Sequence, residues 1–335
     1  MVRARVTRYD LTYQHAAWRS LSLPAGERPA AAERGGSSPT GRPGPAAAAC
    51  RRTGDERMIP DSRLDELLLE DAPHGDLTTE ALGIGASPGR IAFGAREPLV
   101  FAGGEEASRL LARVGAAPRL LLRSGALARA GDALLEAEGS AASLHLGWKV
   151  SLHLMEQLSG IATRTRRIVE AARAAGRDVP VAATRKCFPG TRDLALLAVR
   201  AGGGVAHRLG LSDSLLVFAQ HTGFLSPGGL PAAIARVRDR EPEKKVVVEV
   251  ASLEEAVAAG RAGADVIQVE KLSPSAFAEV VAACRSLAGA PRLAATGGVD
   301  ESNAAAYAAA GADLLVTSAP FSGRPAEIRV EITPR

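Results

Sequence analysis

Two kinds of hydrophobic pattern divide this chain. After Gly176, short apolar runs recur at Val179–Ala183, Leu215–Phe218, Val246–Val250, Val266–Val269, Leu293–Ala295 and Leu314–Thr317. Between them lie stretches with helical spacing, such as Leu253–Ala262 and Asn303–Ala310, each running into Gly-Ala-Asp. Strand–helix alternation over this length predicts a parallel sheet, open or closed into a barrel, because parallel neighbours need long crossovers. Residues 58–150 read differently. Helical spacing at Arg63–Glu70 and Gly104–Val114 is mixed with strand-like runs at Arg90–Phe93, Leu99–Ala102, Arg119–Leu122 and Ala133–Ala137, the signature of an α+β domain. Asp61 or Ser62 is a plausible N-cap for the first of these helices. A helix over Leu144–Leu158 and a second from about Ile161 to Ala175 join the two regimes. The last segment, Ile328–Ile332, alternates as a strand and is expected to return to the first domain.

Composition narrows the class. At 335 residues the chain has room for two domains, each able to bury a core. No run approaches the roughly 18 to 20 apolar residues that span a bilayer, so no membrane insertion is expected. The net charge of +4 misleads, because residues 1–57 hold ten Arg and no Lys against five acids. That leaves the remainder close to neutral, and a nucleic-acid partner is not expected. The Pro- and Gly-rich leader, with Gly41-Arg42-Pro43-Gly44-Pro45 among its runs, cannot bury enough apolar surface to offset ordering and is predicted to be disordered. The folded protein is expected to begin at Met58. Cys50, Cys187 and Cys284 lie far apart, with no CxxC and no His at metal spacing. That pattern points to a reducing, cytoplasmic compartment and away from a disulfide framework or structural zinc.

Candidate chemistry gathers just after the predicted strands. Thr184-Arg185-Lys186-Cys187-Phe188-Pro189-Gly190 follows the strand at Val179–Ala183, and Gly202-Gly203-Gly204-Val205-Ala206-His207-Arg208 follows one helix later. Arg offers a planar fork to carboxylate or phosphate and Lys a point charge, so this cluster predicts a pocket for a multiply anionic ligand. Glu249 and Glu270 close two consecutive strands. Facing the cations, they suit a ligand with phosphates at one end and hydroxyls or Mg²⁺ at the other. Gly297, Gly298 and Ser318 follow the last two strands, where small residues let backbone N–H groups approach an oxyanion. His207 and His221 have no partner at metal spacing, so a ligand contact or a structural hydrogen bond is expected of each. No role is assigned to His145 or His153, and packing is expected of Cys187.

In order, Glu70-Asp71-Ala72-Pro73-His74-Gly75-Asp76-Leu77-Thr78-Thr79, Leu158-Ser159-Gly160-Ile161-Ala162-Thr163, the TRKCFPG and GGGVAHRLGL runs, the Glu-Val pair and Thr296-Gly297-Gly298 resemble the quinolinate phosphoribosyltransferase (nicotinate-nucleotide pyrophosphorylase) family. The resemblance implies an N-terminal α/β sandwich over 58–160 and an incomplete TIM-like α/β barrel over 161–325, with 326–335 returning to the sandwich. It implies a homodimer in which each sandwich covers the partner's barrel mouth. It also implies transfer of phosphoribosyl from phosphoribosyl pyrophosphate, with Mg²⁺, to a small anionic acceptor. Carried over by position, Arg185, His207 and Arg208 would hold the acceptor, and Lys186 would contact pyrophosphate or carboxylate. Glu249 and Glu270 would take ribose hydroxyls and metal, while Gly297, Gly298 and Ser318 would cradle the 5′-phosphate.

Three positions depart from the family pattern. Phe218 stands where the family has an acceptor-site lysine, Trp148-Lys149 where it has Glu-Arg with the Arg reaching the partner's site, and Glu270-Lys271 where it has Asp-Asn. These changes look like the ModD branch, associated with molybdate-transport operons. The leading expectation is a phosphoribosyltransferase-like enzyme acting on an acceptor other than quinolinate, in molybdenum metabolism. The alternatives are a quinolinate enzyme of NAD biosynthesis and a non-catalytic oxyanion-binding protein of molybdate uptake. Two carboxylates beside the cations favour catalysis, since they would only weaken an oxyanion sensor.

Overall fold

The computed structural model describes residues 59–225 and 229–335. The expectations for the leader, and for a start at Met58, lie outside them. Among the described residues, the N-terminal part opens with helix α1 (Asp61–Asp71) and short helix α2 (Leu77–Ala81). Pro60 occupies the N-cap of α1 with extended backbone and no side-chain cap. Asp61 sits in the first turn and pairs with Arg109. There follow strands β1 (Pro88–Ala95) and β2 (Leu99–Val100), helix α3 (Gly104–Arg113), and strands β3 (Ala117–Leu120), β4 (Leu127–Ala128) and β5 (Ala133–Ser140). Ile91, Phe93 and Ala95 are buried on one face of β1, the period-two alternation of a sheet packed on one side.

Helix α4 (Ala141–Arg173) runs unbroken for 33 residues. The sequence suggests two helices parted near Ser159-Gly160, and the structure corrects this. A Cβ at Gly160 would lie 2.2 Å from the Arg324 carbonyl oxygen. Ser159 Oγ accepts from Ala102 N at 3.0 Å. The small pair therefore serves close packing against other segments, and neither residue breaks the helix.

The second part builds a curled parallel sheet. Its strands are β6 (Val181–Ala183), β7 (Val205–Ala206), β8 (Leu215–Val217), β9 (Val246–Val250), β10 (Val266–Glu270), β11 (Arg292–Thr296) and β12 (Leu314–Thr317), in the order β7-β6-β12-β11-β10-β9-β8. Helices α5 (Arg192–Ala201), α6 (Ala219–Thr222), α7 (Gly229–Arg240), α8 (Leu253–Arg261), α9 (Pro274–Arg285) and α10 (Ala304–Ala309) lie between them. Strand β7, two residues inside the GGGVAHR run, is too short to read from sequence. Val246, Val248 and Val250 join the outer core beneath the helices, while Ala182, Ala294 and Val316 fill the sheet's inner side. The inner side ends, at the strands' C-termini, in a polar layer that includes Glu249, Gln268 and Thr296. Finally β13 (Ile328–Pro334) pairs antiparallel with β1, matching Ile91 to Ile332, and completes a four-stranded sheet β13-β1-β5-β3. The fold is an α/β sandwich joined to an incomplete TIM-like barrel.

Candidate active site

Each wall of the site follows from where a strand stops. Beyond β6, Thr184 N donates to Thr317 O at 2.9 Å, and Arg185 and Lys186 follow at once. His207 N donates to Ala183 O at 3.0 Å, which continues the β6–β7 pairing and brings His207 and Arg208 beside Arg185. Arg208 is only 8 % exposed. Burial and the neighbouring Arg185 cation both weaken its hold on its proton, with Asp213 opposing them. Nε of Arg185 is buried and has no hydrogen-bond partner. Two crowded guanidiniums, one with an unused donor, make this wall a receptor for negative charge. Burial and the Arg208 cation lower the pKa of His207, and Gln268 pulls the other way.

The opposite wall is acidic. Glu249 on β9 and Gln268 on β10 are cross-strand partners, and Gln268 Nε2 donates to Glu249 Oε2 at 2.6 Å. Burial raises the pKa of Glu249 most. Gln268, Lys186 and Lys271 lower it, while the Glu270 charge raises it. Lys271 Nζ lies 3.1 Å from Glu270 Oε1. Two repelling carboxylates leaning on one cavity are suited to a cation or to hydroxyl donors.

The third wall is backbone. Gly297 and Gly298 take left-handed φ values of +83° and +90°. A Cβ at Gly297 would come within 2.9 Å of Lys271 N, whereas one at Gly298 would meet nothing within 4 Å. Gly297 is thus needed for close packing, and Gly298 leaves open space beside an exposed turn. Thr317 Oγ1 accepts from Ala319 N at 3.0 Å, fixing the turn that carries Ser318.

These walls enclose a cavity of about 380 Å³. Arg185, Lys186, His207, Arg208, Phe218, Glu249, Glu270, Gly297, Gly298 and Ser318 all line it. Phe218 directly follows β8, at the N-cap of α6, and its ring lies 5.7 Å from the Arg208 guanidinium. Because β7 and β8 are the two edges of the sheet, this contact shows how far the barrel curls. Lys149 is not brought here. It lies on α4 in a separate cleft with Asp76, Thr78, His145 and Trp148, its Nζ 4.3 Å over the Trp148 ring.

Sequence reasoning missed Gln268, Thr184, Thr296 and Thr317, which also line the cavity. Gln268 had a signal, an uncharged polar residue inside an apolar run; the threonines stand in or beside the quoted motifs and were given no role of their own. His221 is structural: Phe218 N donates to its Nδ1 at 3.0 Å, and the two rings stack. His145 Nδ1 lies 2.7 Å from Thr79 Oγ1. Cys187 Sγ lies 3.8 Å from Arg185 O, outside the cavity lining.

A barrel mouth walled by cations, carboxylates and a glycine turn is suited to a ligand of mixed charge. The sequence profile of the quinolinate phosphoribosyl transferase C-terminal domain matches residues 161–329, and that of the N-terminal domain residues 76–159. A ModD protein of Rhodobacter capsulatus is 46% identical over 252 residues, covering 74% of this chain and 95% of its own. A Methanothermobacter thermautotrophicus protein named as a carboxylating nicotinate-nucleotide pyrophosphorylase is 32% identical, covering 80% and 96%. The crystal structure of NadC from Streptococcus pyogenes superimposes with a TM-score of 0.75 at 29% identity, covering 82% of this chain and 96% of that one. The chain belongs to the quinolinate phosphoribosyl transferase family, a family of pentosyltransferases, and within it sides with the ModD proteins.

Proposed function

We propose that this chain is a ModD-type phosphoribosyltransferase that moves phosphoribosyl from phosphoribosyl pyrophosphate to a small acceptor less anionic than quinolinate. The observation that carries this reading is the single cavity in which Arg185, Lys186 and Arg208 face Glu249 and Glu270 across an open glycine turn. In such a site the acceptor's nucleophilic nitrogen attacks ribose C1′ as the bond to pyrophosphate breaks, and pyrophosphate departs with the bonding pair. Lys186 stabilises the charge growing on pyrophosphate, and the two carboxylates stabilise the oxocarbenium-like ribose. Gly298 and Ser318 take the 5′-phosphate.

Mg²⁺ fits as a companion of the pyrophosphate. Among the described residues, no group of three or more His, Cys, Asp or Glu is placed to hold a metal. Mg²⁺ is commonly held by one or two carboxylates plus substrate phosphates, which Glu249 and Glu270 could supply. The metal would neutralise phosphate charge. A place in molybdenum metabolism is part of this reading, and the resemblance to ModD proteins is what favours it.

Phe218 favours the non-quinolinate acceptor. An apolar ring there cannot make the charge-assisted contact of a lysine, typically worth about 1.5 to 3 kcal/mol. Lys149 offers a point charge in place of a bidentate fork. Together these changes should remove roughly two or more decades of quinolinate efficiency. Incubation with phosphoribosyl pyrophosphate, Mg²⁺ and a panel of aromatic acids, read as pyrophosphate release, tests both halves. Weak quinolinate turnover that rises in the Phe218→Lys, Lys149→Arg variant supports the reading. Quinolinate efficiency in the ordinary enzymatic range, about 10⁴ M⁻¹s⁻¹ or more, defeats the acceptor argument.

A further inference from the structure

Gln268 is a neutral amide in the polar layer of the barrel, where its charged neighbours already have assigned work. It is 4 % exposed and lines the cavity. Its orientation is chemically fixed: with Oε1 turned toward Glu249, two acceptors would face each other, so the Nε2 end must meet the carboxylate. That leaves Oε1 on the far side, buried and without a hydrogen-bond partner. The oxygen makes itself felt at His207, on the acceptor wall, where Gln268 favours the imidazolium. That approach does not meet hydrogen-bond geometry, and a carbonyl oxygen has two lone pairs, so Oε1 keeps acceptor capacity for a further donor.

A buried carbonyl with no donor is costly, and a residue of similar shape without the oxygen would escape that cost. The apolar layer beneath, Ala294 and Val316 with Val266 and Leu314 against them, would accept a methionine. The unused acceptor becomes favourable only when a ligand brings it an N–H or O–H. We infer that Gln268 is a specificity-determining residue whose Oε1 receives a hydrogen bond from the acceptor substrate. The acceptor would then be a planar aromatic acid with an anionic group for Arg185 and Arg208, and an amino, hydroxyl or carboxamide donor for Gln268. A second carboxylate at that position would set acceptor against acceptor. This deepens the phosphoribosyltransferase reading and rests on it.

The test is calorimetric binding to the full chain of matched pairs of pyridine and benzene monocarboxylates, each with and without an amino, hydroxyl or carboxamide substituent. In at least one pair the donor-bearing member should bind about tenfold more tightly, the ratio expected of one net hydrogen bond. Gln268→Met should bring that ratio close to one. A ratio near one for every pair in the unmodified protein overturns the inference without any variant. A ratio that survives Gln268→Met overturns it as well, and a parallel loss of phosphoribosyl pyrophosphate affinity would then assign the donor to a ribose hydroxyl. Phosphoribosyl pyrophosphate is titrated alongside: if it binds and no pair discriminates, only this inference falls. If it fails to bind, the underlying reading falls too.

Discussion

Lys271 is the residue whose backbone departs furthest from what its side chain prefers. Among the described residues it alone, outside glycine, takes a left-handed φ, at 58°. Such a conformation costs an L-residue roughly 1–2 kcal/mol, and glycine's extra chain entropy returns about half of that. Lys271→Gly should therefore stabilise the protein by about 0.5–1 kcal/mol in denaturant unfolding. A loss instead would mean that the exposed pair with Glu270 outweighs the strain. His207 gives a pH prediction of definite sign. Its folded pKa is lowered, first by burial and then by the Arg208 cation. Below the ordinary imidazole value of about 6.5, the unfolded chain takes up a proton that the folded site resists. Stability is thus unaffected above that value and is lost as pH falls toward the folded pKa. His207→Gln should show a smaller drop in unfolding free energy between pH 7.5 and 5.5 than the unmodified protein. An equal drop would mean that His207 titrates as it would in water.

Helix α4 shows how an element can be misread for a sound reason. Ser and Gly in sequence mark turns, and Leu158-Ser159-Gly160 looks like one. Here the glycine admits the carbonyl of Arg324 where a side chain would stand. By helix propensity alone, Gly160→Ala would gain about 1 kcal/mol. The new methyl would meet rigid backbone, and overpacking costs typically about 1–3 kcal/mol. We expect net destabilisation of about 1–2 kcal/mol in denaturant unfolding, and a neutral or stabilising result would show that the 324 segment yields easily. Strand β7 illustrates the opposite case. Two residues carry no periodicity, yet their pairing with β6 orients the His207–Arg208 step.

At the scale of the whole molecule, Lys149 poses the question of assembly. It lies outside the cavity, beside Trp148 in another cleft. If the family's dimer holds for this chain, that cleft serves the partner's site. Leu209 and Leu211, on the loop beyond Arg208, and Phe188 are apolar and exposed, as such an interface would need. Mixing Lys149→Ala with Arg185→Ala subunits should then restore activity. In a two-fold dimer one site of each mixed pair is intact, so random exchange recovers about a quarter of the sites. Sedimentation as a monomer at micromolar concentration, with activity retained, would exclude this arrangement.

The sequence by itself determined the elements and the chemistry at their ends. Short apolar runs such as Val246–Val250 specify a strand locally, so Glu249 and Glu270 could be assigned to strand ends without coordinates. Arg185, Lys186 and Arg208 were legible for the same reason. Only the tertiary structure decided which of these ends share a mouth. Residues 208 and 218 approach because the sheet curls until its edge strands face each other. Closure likewise buries Gln268 beside Glu249 and leaves its oxygen without a geometric partner, and the crossing of Arg324 over α4 leaves room only for glycine at position 160. Periodicity is a property of neighbours along the chain. Burial, pairing and the loss of a partner are properties of neighbours in space, and those depend on how the sheet closes.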